Sequence, residues 1–84
     1  MERVMLEDQI SFIIAEIMSS VLGISINPDQ NILRDSEARW DSLKHIEIIF
    51  AVEEAFDIRF DEQDITGIIS TDDLKAKVAS KNAA

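Results

Sequence analysis

Eighty-four residues with 46% apolar content and a net charge of −9 suit one small core, and the excess acid repels nucleic acid phosphates and anionic lipid headgroups while favouring basic protein partners. The absence of cysteine excludes disulfides and thiolate metal ligands. No apolar stretch approaches the roughly 18 residues of a membrane span, and Met1-Glu2-Arg3 lacks the basic start of a secretory signal. The expectation is a cytoplasmic monomer, one domain over residues 1–84 with ends fraying at about 1–4 and 81–84, binding neither nucleic acid nor, stably, a membrane.

Two Gly and one Pro leave too few turns for a sandwich or barrel, so helices supply the core. Leu6, Ile10, Ile13, Ile17 and Val21 recur at helical spacing, with Ile14 widening the stripe, which predicts a first helix over residues 6–22. Gly23 can take the left-handed conformation that closes it, and Pro28 keeps it from resuming. The connection over 24–41 exceeds the roughly 2 to 8 residues usual between helices. Ile26, Ile32, Leu33 and Trp40 are its expected apolar anchors, with a turn at Asn27-Pro28-Asp29.

A second helix is expected from Ser42 to Phe56, with Ile46, Ile49, Val52 and Phe56 toward the core. On another flank Leu43, Phe50, Glu47 and Glu54 form a narrow stripe of alternating apolar and acidic side chains. Either Leu43 and Phe50 extend the core beneath two covering glutamates, or the stripe meets a partner. Glu53 falls inside the apolar arc, where it needs snorkelling or a neighbouring Arg or Lys, and His45 is placed on the helix surface at the core margin. Ile58 and Phe60 are expected to plug the end of the bundle. Asp61 offers a cap for a short turn ending near Gly67. Ser70-Thr71-Asp72-Asp73 opens a last helix whose apolar face is Leu74 and Val78, with Lys75, Lys77 and Lys81 toward its favourable C-terminal half and a frayed tail from Asn82. The fold class is therefore all-α, with three longer helices and one short one.

Chemistry concentrates at Trp40-Asp41-Ser42-Leu43. A serine at a helix start is ordinarily a cap. What capping leaves unexplained is the setting, ten acidic residues against three basic ones between Asp35 and Asp64. A hydrolase would use Ser42 with His45 as base, but Asp41 precedes the serine and cannot easily reach the far ring nitrogen, and no Gly-x-Ser-x-Gly elbow is present. Calcium loops starting at Asp57 or Asp61 fail because Arg59 or Ile65 falls at a ligand position and the turn lacks its glycine. Two non-catalytic readings stand: an attachment point on a carrier, or an acidic helical interaction domain with Ser42 as a cap.

At this point the chain resembles the acyl carrier protein family. Asp41-Ser42-Leu43 looks like the family's attachment motif, and Ile46-Glu47, Glu53-Glu54 and Phe56 are similar to its second helix. The likeness runs from the first amphipathic helix through the long loop to the capped last helix. It implies a four-helix bundle of acyl-carrier type, without enzymatic activity, in which Ser42 receives 4′-phosphopantetheine from coenzyme A by way of a separate magnesium-dependent phosphopantetheinyl transferase. The arm's thiol then carries acyl groups as thioesters for fatty acid, polyketide or related lipid synthesis. The resemblance also implies that Asp41, Glu47, Glu53 and Glu54 meet basic residues on acyl-loading and acyl-transferring enzymes, with Leu43 as the apolar contact and Phe50 beside it in the stripe. Lys44 and His45 after the serine, and Trp40 before the motif, depart from the common pattern and point to a specialised carrier with dedicated partners. Peptidyl or aminoacyl carriers are similar in fold, but usually have glycines before the serine.

Overall fold

The computed structural model describes residues 7–83, with α1 (Glu7–Leu22), a 3-10 turn (Arg34–Ser36), α2 (Ser42–Phe56), α3 (Glu62–Gly67) and α4 (Thr71–Ala83). The all-helical expectation holds. Among the described residues the only extended pairing is one antiparallel bridge between Leu33 and Ser70. α1 packs against both α2 and α4, and the space between them is filled by Ile14, Met18, Ile48, Ile49, Val52, Ile68, Leu74 and Val78, all but sealed from solvent. Each such side chain contributes about 1.5–3 kcal/mol by burial, which is how a chain without cysteine stays folded.

Two apolar faces sit differently from the sequence expectation. In α1 the buried row is Ile10, Ile14, Met18 and Leu22, with Ala15, while Ile13, Ile17 and Val21 are only half-buried at its edge. Two adjacent rows of α1 are apolar, and α2 and α4 cover the one centred on Ile14 and Met18. Leu6 lies outside the described residues. In α2, Ile48 replaces Ile46 in the core, because burial of His45 rotates the inner face away from Ile46. At the chain's end, α4 runs to Ala83.

The long loop is held less by apolar anchors than by polar ones. Ile26 and Trp40 are buried and Ile32 is half-buried, but Leu33 is exposed. Buried Thr71 does the fastening: its Oγ1 accepts from the Ile32 amide at 2.9 Å, and its own amide donates to the Ile32 carbonyl at 3.0 Å. Asn31 Oδ1 accepts the Asp72 amide, the Arg34 amide reaches the Ile69 carbonyl, and Lys75 Nζ donates to the Pro28 carbonyl. A loop without regular structure is ordered because its backbone groups find partners at the start of α4. The turn at Asn27-Pro28-Asp29 closes with the Gln30 amide on the Asn27 carbonyl, and Gly23 ends α1 with a φ of 73°.

α3 starts as expected at Asp61, where Asp61 and Asp64 each accept the other's backbone N–H. Ile58 and Phe60 pack against the core just before it. Lys77 and Lys81 do more than complement a helix end. They grip Asp64 at 3.0 and 3.1 Å and tie α4 to α3. Lys77 first, then Lys81 and the Asp61 amide, hold the Asp64 carboxyl well below the usual carboxylate range.

Candidate functional site

Ser42 does not cap α2; Asp41 does. Asp41 has extended backbone, its Oδ1 accepts the Lys44 amide at 2.9 Å, and its carbonyl accepts the first helical bond from the His45 amide at 2.8 Å. An aspartate is as good a cap as a serine. Ser42 is consequently the first helical residue, exposed, and its hydroxyl has no hydrogen-bond partner among the described residues. The first-turn N–H groups and the helix dipole place partial positive charge there, which suits an anionic phosphodiester. A side chain free of structural duty, at the end of a helix that favours phosphate, fits covalent attachment of a phosphate-linked arm.

Beside it runs the expected stripe. Leu43 and Phe50 are 66% and 63% exposed, so neither extends the core. Glu47 and Glu54 are exposed on the same flank, Glu47 pairing at 3.6 Å with Lys44. Ile46, displaced from the core, adds apolar surface toward an open groove lined by Glu62, Gln63, Ile65 and Thr66 of α3. Asp41 and Glu53 differ from Glu47 and Glu54 because each accepts a backbone N–H. Glu53 Oε2 accepts the Phe60 amide at 2.8 Å, closing the chain over the end of α2. That bond explains a glutamate inside the apolar arc without invoking a basic neighbour.

Behind the serine lies a pair that sequence reasoning did not connect. His45 is not a surface residue: it is buried with Trp40, whose indole Nε1–H donates to His45 Nδ1 at 2.9 Å. Indole is a donor only, so Nδ1 must be the unprotonated nitrogen and Nε2–H donates to the Ile65 carbonyl at 2.8 Å. Burial lowers the imidazole's pKa from its ordinary 6.5, the Ile65 carbonyl working against that and the Arg34 charge adding to it. With both ring nitrogens paired, burying a histidine costs little. The available signal was the lone Trp two residues before Ser42 and the lone His three after it, five positions apart across the helix start. Among the described residues, no cluster of three or more metal-ligating side chains is present, and no helix is long and apolar enough to cross a membrane.

Residues 13–78 match the family model described as a phosphopantetheine attachment site. The chain is 34% identical over 74 residues to an acyl carrier protein of Syntrophobacter fumaroxidans, covering 84% of this chain and 89% of the relative. It is 35% identical over 80 residues to acyl carrier protein 3 of Ralstonia nicotianae, covering 90% and 88%. No solved structure gives a significant match.

Proposed function

From the premise that this chain belongs to the acyl carrier protein family, carriers bearing covalent 4′-phosphopantetheine and not catalysts, we propose that Ser42 is the attachment residue and that the stripe beside it docks the partner enzymes. The observation that carries the assignment is the exposed, unbonded Ser42 hydroxyl, left free by Asp41. The arm supplies the thiol that this chain lacks and holds acyl groups as thioesters for fatty acid, polyketide or related lipid synthesis. The protein's own residues do the rest. Asp41 fixes the turn, the start of α2 favours the phosphodiester anion, and Trp40 and His45 back the turn from inside. Leu43 and Phe50, edged by Asp41, Glu47 and Glu54, form a surface for basic patches on the transferase and the acyl-loading and acyl-transferring enzymes, with Glu53 a lesser member because one of its oxygens is engaged.

Exposed ion pairs contribute only about 0.2–1 kcal/mol each, so such docking is fast and reversible, as repeated handover demands. The same reading makes the protein a cytoplasmic monomer with dedicated partners. The test is intact-mass analysis after incubation with coenzyme A, magnesium and a broad-specificity phosphopantetheinyl transferase. One phosphopantetheine adduct is expected, absent in Ser42→Ala. No adduct on the wild type, or an adduct that survives the substitution, refutes the assignment.

A further inference from the structure

Trp40 immediately precedes the capping Asp41, and its backbone is fixed on both sides, the amide on the Glu37 carbonyl at 3.0 Å and the carbonyl on Arg34 Nε at 3.4 Å. Trp40 is 2% exposed, and its indole lies 5.9 Å, centroid to centroid, from the His45 ring. Through Nε2, that ring reaches the Ile65 carbonyl of α3. One imidazole thus joins three pieces of backbone: the turn presenting Ser42, the first turn of α2 and the interior of α3. The join depends on protonation state. A proton on Nδ1 would point at the indole N–H, two donors facing each other with no acceptor between them. The buried donor would then lose its only partner and the ring would carry charge in a desolvated place.

We propose that the Trp40–His45–Ile65 bridge is a proton-operated positioning device, which clamps the Ser42 turn to α3 while the imidazole is neutral and releases it when Nδ1 is protonated. His45 acts on the hydroxyl only through Trp40 and the turn, so it is a positioning residue. The charged side chains on the surrounding elements leave the balance with burial. On α2, Lys44 and Glu47 pair with each other, and the Asp41 carboxylate just before it holds the Lys44 amide. On α3, Glu62 is exposed and Asp64 is gripped by Lys77 and Lys81 of α4. Arg34, from the loop, is the cation that acts on the ring, and it opposes protonation. The folded pKa lies below the unfolded one, so the bridge's stabilisation is complete above 6.5 and is lost as pH falls through the lower folded value.

This inference rests on Ser42 being the attachment residue, but its first test does not. The chain has one His, one Trp and no Tyr, so imidazole resonances and indole emission report on His45 and Trp40 alone. Both are expected to change with one midpoint below 6.5, helix content staying constant. Trp40→Phe, which removes the opposing donor, should move the imidazole midpoint upward. The second test compares initial rates of phosphopantetheine transfer for the wild type and His45→Gln, whose side-chain amide can face Trp40 with its oxygen and Ile65 with its nitrogen without titrating. The variant-to-wild-type ratio should be flat above pH 7 and rise about tenfold one unit below the midpoint, where roughly nine-tenths of the wild type is protonated. Indole emission unmoved through the imidazole titration, helix content falling at the same midpoint, an unshifted midpoint in Trp40→Phe, or a flat rate ratio would each overturn the proposal. Absence of any adduct at every pH would instead strike the Ser42 assignment, and the spectroscopic midpoints would still decide the bridge.

Discussion

Two serines stand at helix starts in this molecule, and they do opposite things. Ser70, before α4, is 6% exposed, and its Oγ accepts the Asp73 amide at 3.1 Å. Ser42, at the start of α2, is exposed and bonds nothing through its side chain among the described residues. The difference lies in the preceding residue. Ile69 before Ser70 has no side-chain oxygen to offer, so the serine caps; Asp41 before Ser42 takes the cap and displaces the serine into the first helical position. A serine at a helix start keeps its hydroxyl free when its neighbour takes the cap.

Exchanging the serines' side chains for methyl groups gives the largest contrast. Ser42→Ala should abolish the phosphopantetheine adduct in intact-mass analysis and change urea-denaturation stability by no more than about 0.5 kcal/mol, as for a surface substitution away from a cap. Ser70→Ala should keep the adduct and lose about 1 kcal/mol, the usual worth of a cap. Substitution of Asp41 sharpens the same comparison, because it separates capping from charge. Asp41→Asn retains an acceptor for the Lys44 amide, so its stability should match the wild type within a few tenths of a kcal/mol. Asp41→Ala should lose about 1 kcal/mol, and it should leave Ser42 as the nearest oxygen able to compete for the cap. Transfer to Asp41→Ala should therefore be slower than transfer to Asp41→Asn in a transferase time course. Equal rates would mean that occupancy of the cap does not govern the hydroxyl.

A third helix start adds a pH dimension. At α3 both Asp61 and Asp64 cap, and Asp64 also takes Lys77 and Lys81. Its carboxyl ionises well below the ordinary value of 3.8. The folded pKa is depressed, so the stabilisation is present above 3.8 and is lost as pH falls through the lower folded value. Acid-unfolding curves should show the steep loss below pH 4 shrinking in Asp64→Asn, with neutral-pH transfer to Ser42 unaffected. An unchanged acid limb would remove Asp64 from the account.

These three helix starts were not equally legible. Asp61 and the Ser70-Thr71 pair stand out as small polar residues ahead of acids and apolar periodicity; Asp61 caps as expected, and Ser70 is the one of its pair that caps. The helix start at Asp41-Ser42 has two competent cappers in succession, and which one folds into the cap is a matter of backbone conformation that residue types do not decide. Periodicity and caps together located the four α-helices, though not the 3-10 turn, and misjudged rotation in two of them: α1 has two apolar rows, and α2 buries an imidazole whose two partners lie five and twenty residues away in sequence. The ladder from the loop to Thr71 was hidden for the same reason, its partners being 39 to 41 residues apart. Leu33 looked like an anchor because it is apolar; its backbone is what pairs. The stripe of Leu43, Glu47, Phe50 and Glu54 was legible because it depends only on helical spacing.

The stripe gives the smallest effect and the most demanding measurement. Glu47 and Glu54 are exposed, so any bond to a partner's Arg or Lys competes with water and salt, and each should be worth about 0.2–1 kcal/mol. That corresponds to between about 1.4-fold and fivefold in transfer rate at subsaturating carrier. Reversal in Glu54→Lys should exceed simple loss, because it sets like charges together at the interface. Glu47→Lys should match or exceed it, since this substitution also turns the 3.6 Å pair with Lys44 into a repulsion next to Ser42. Glu7→Lys makes the same change in net charge at the far end of α1, and so reports long-range steering alone. Raising ionic strength should collapse the differences among the three variants, because a Debye length of about 3 Å at 1 M salt screens exposed pairs. Three equal rates at low salt would reduce the acidic flank of α2 to general charge, leaving Leu43 and Phe50 as the only directional part of the surface.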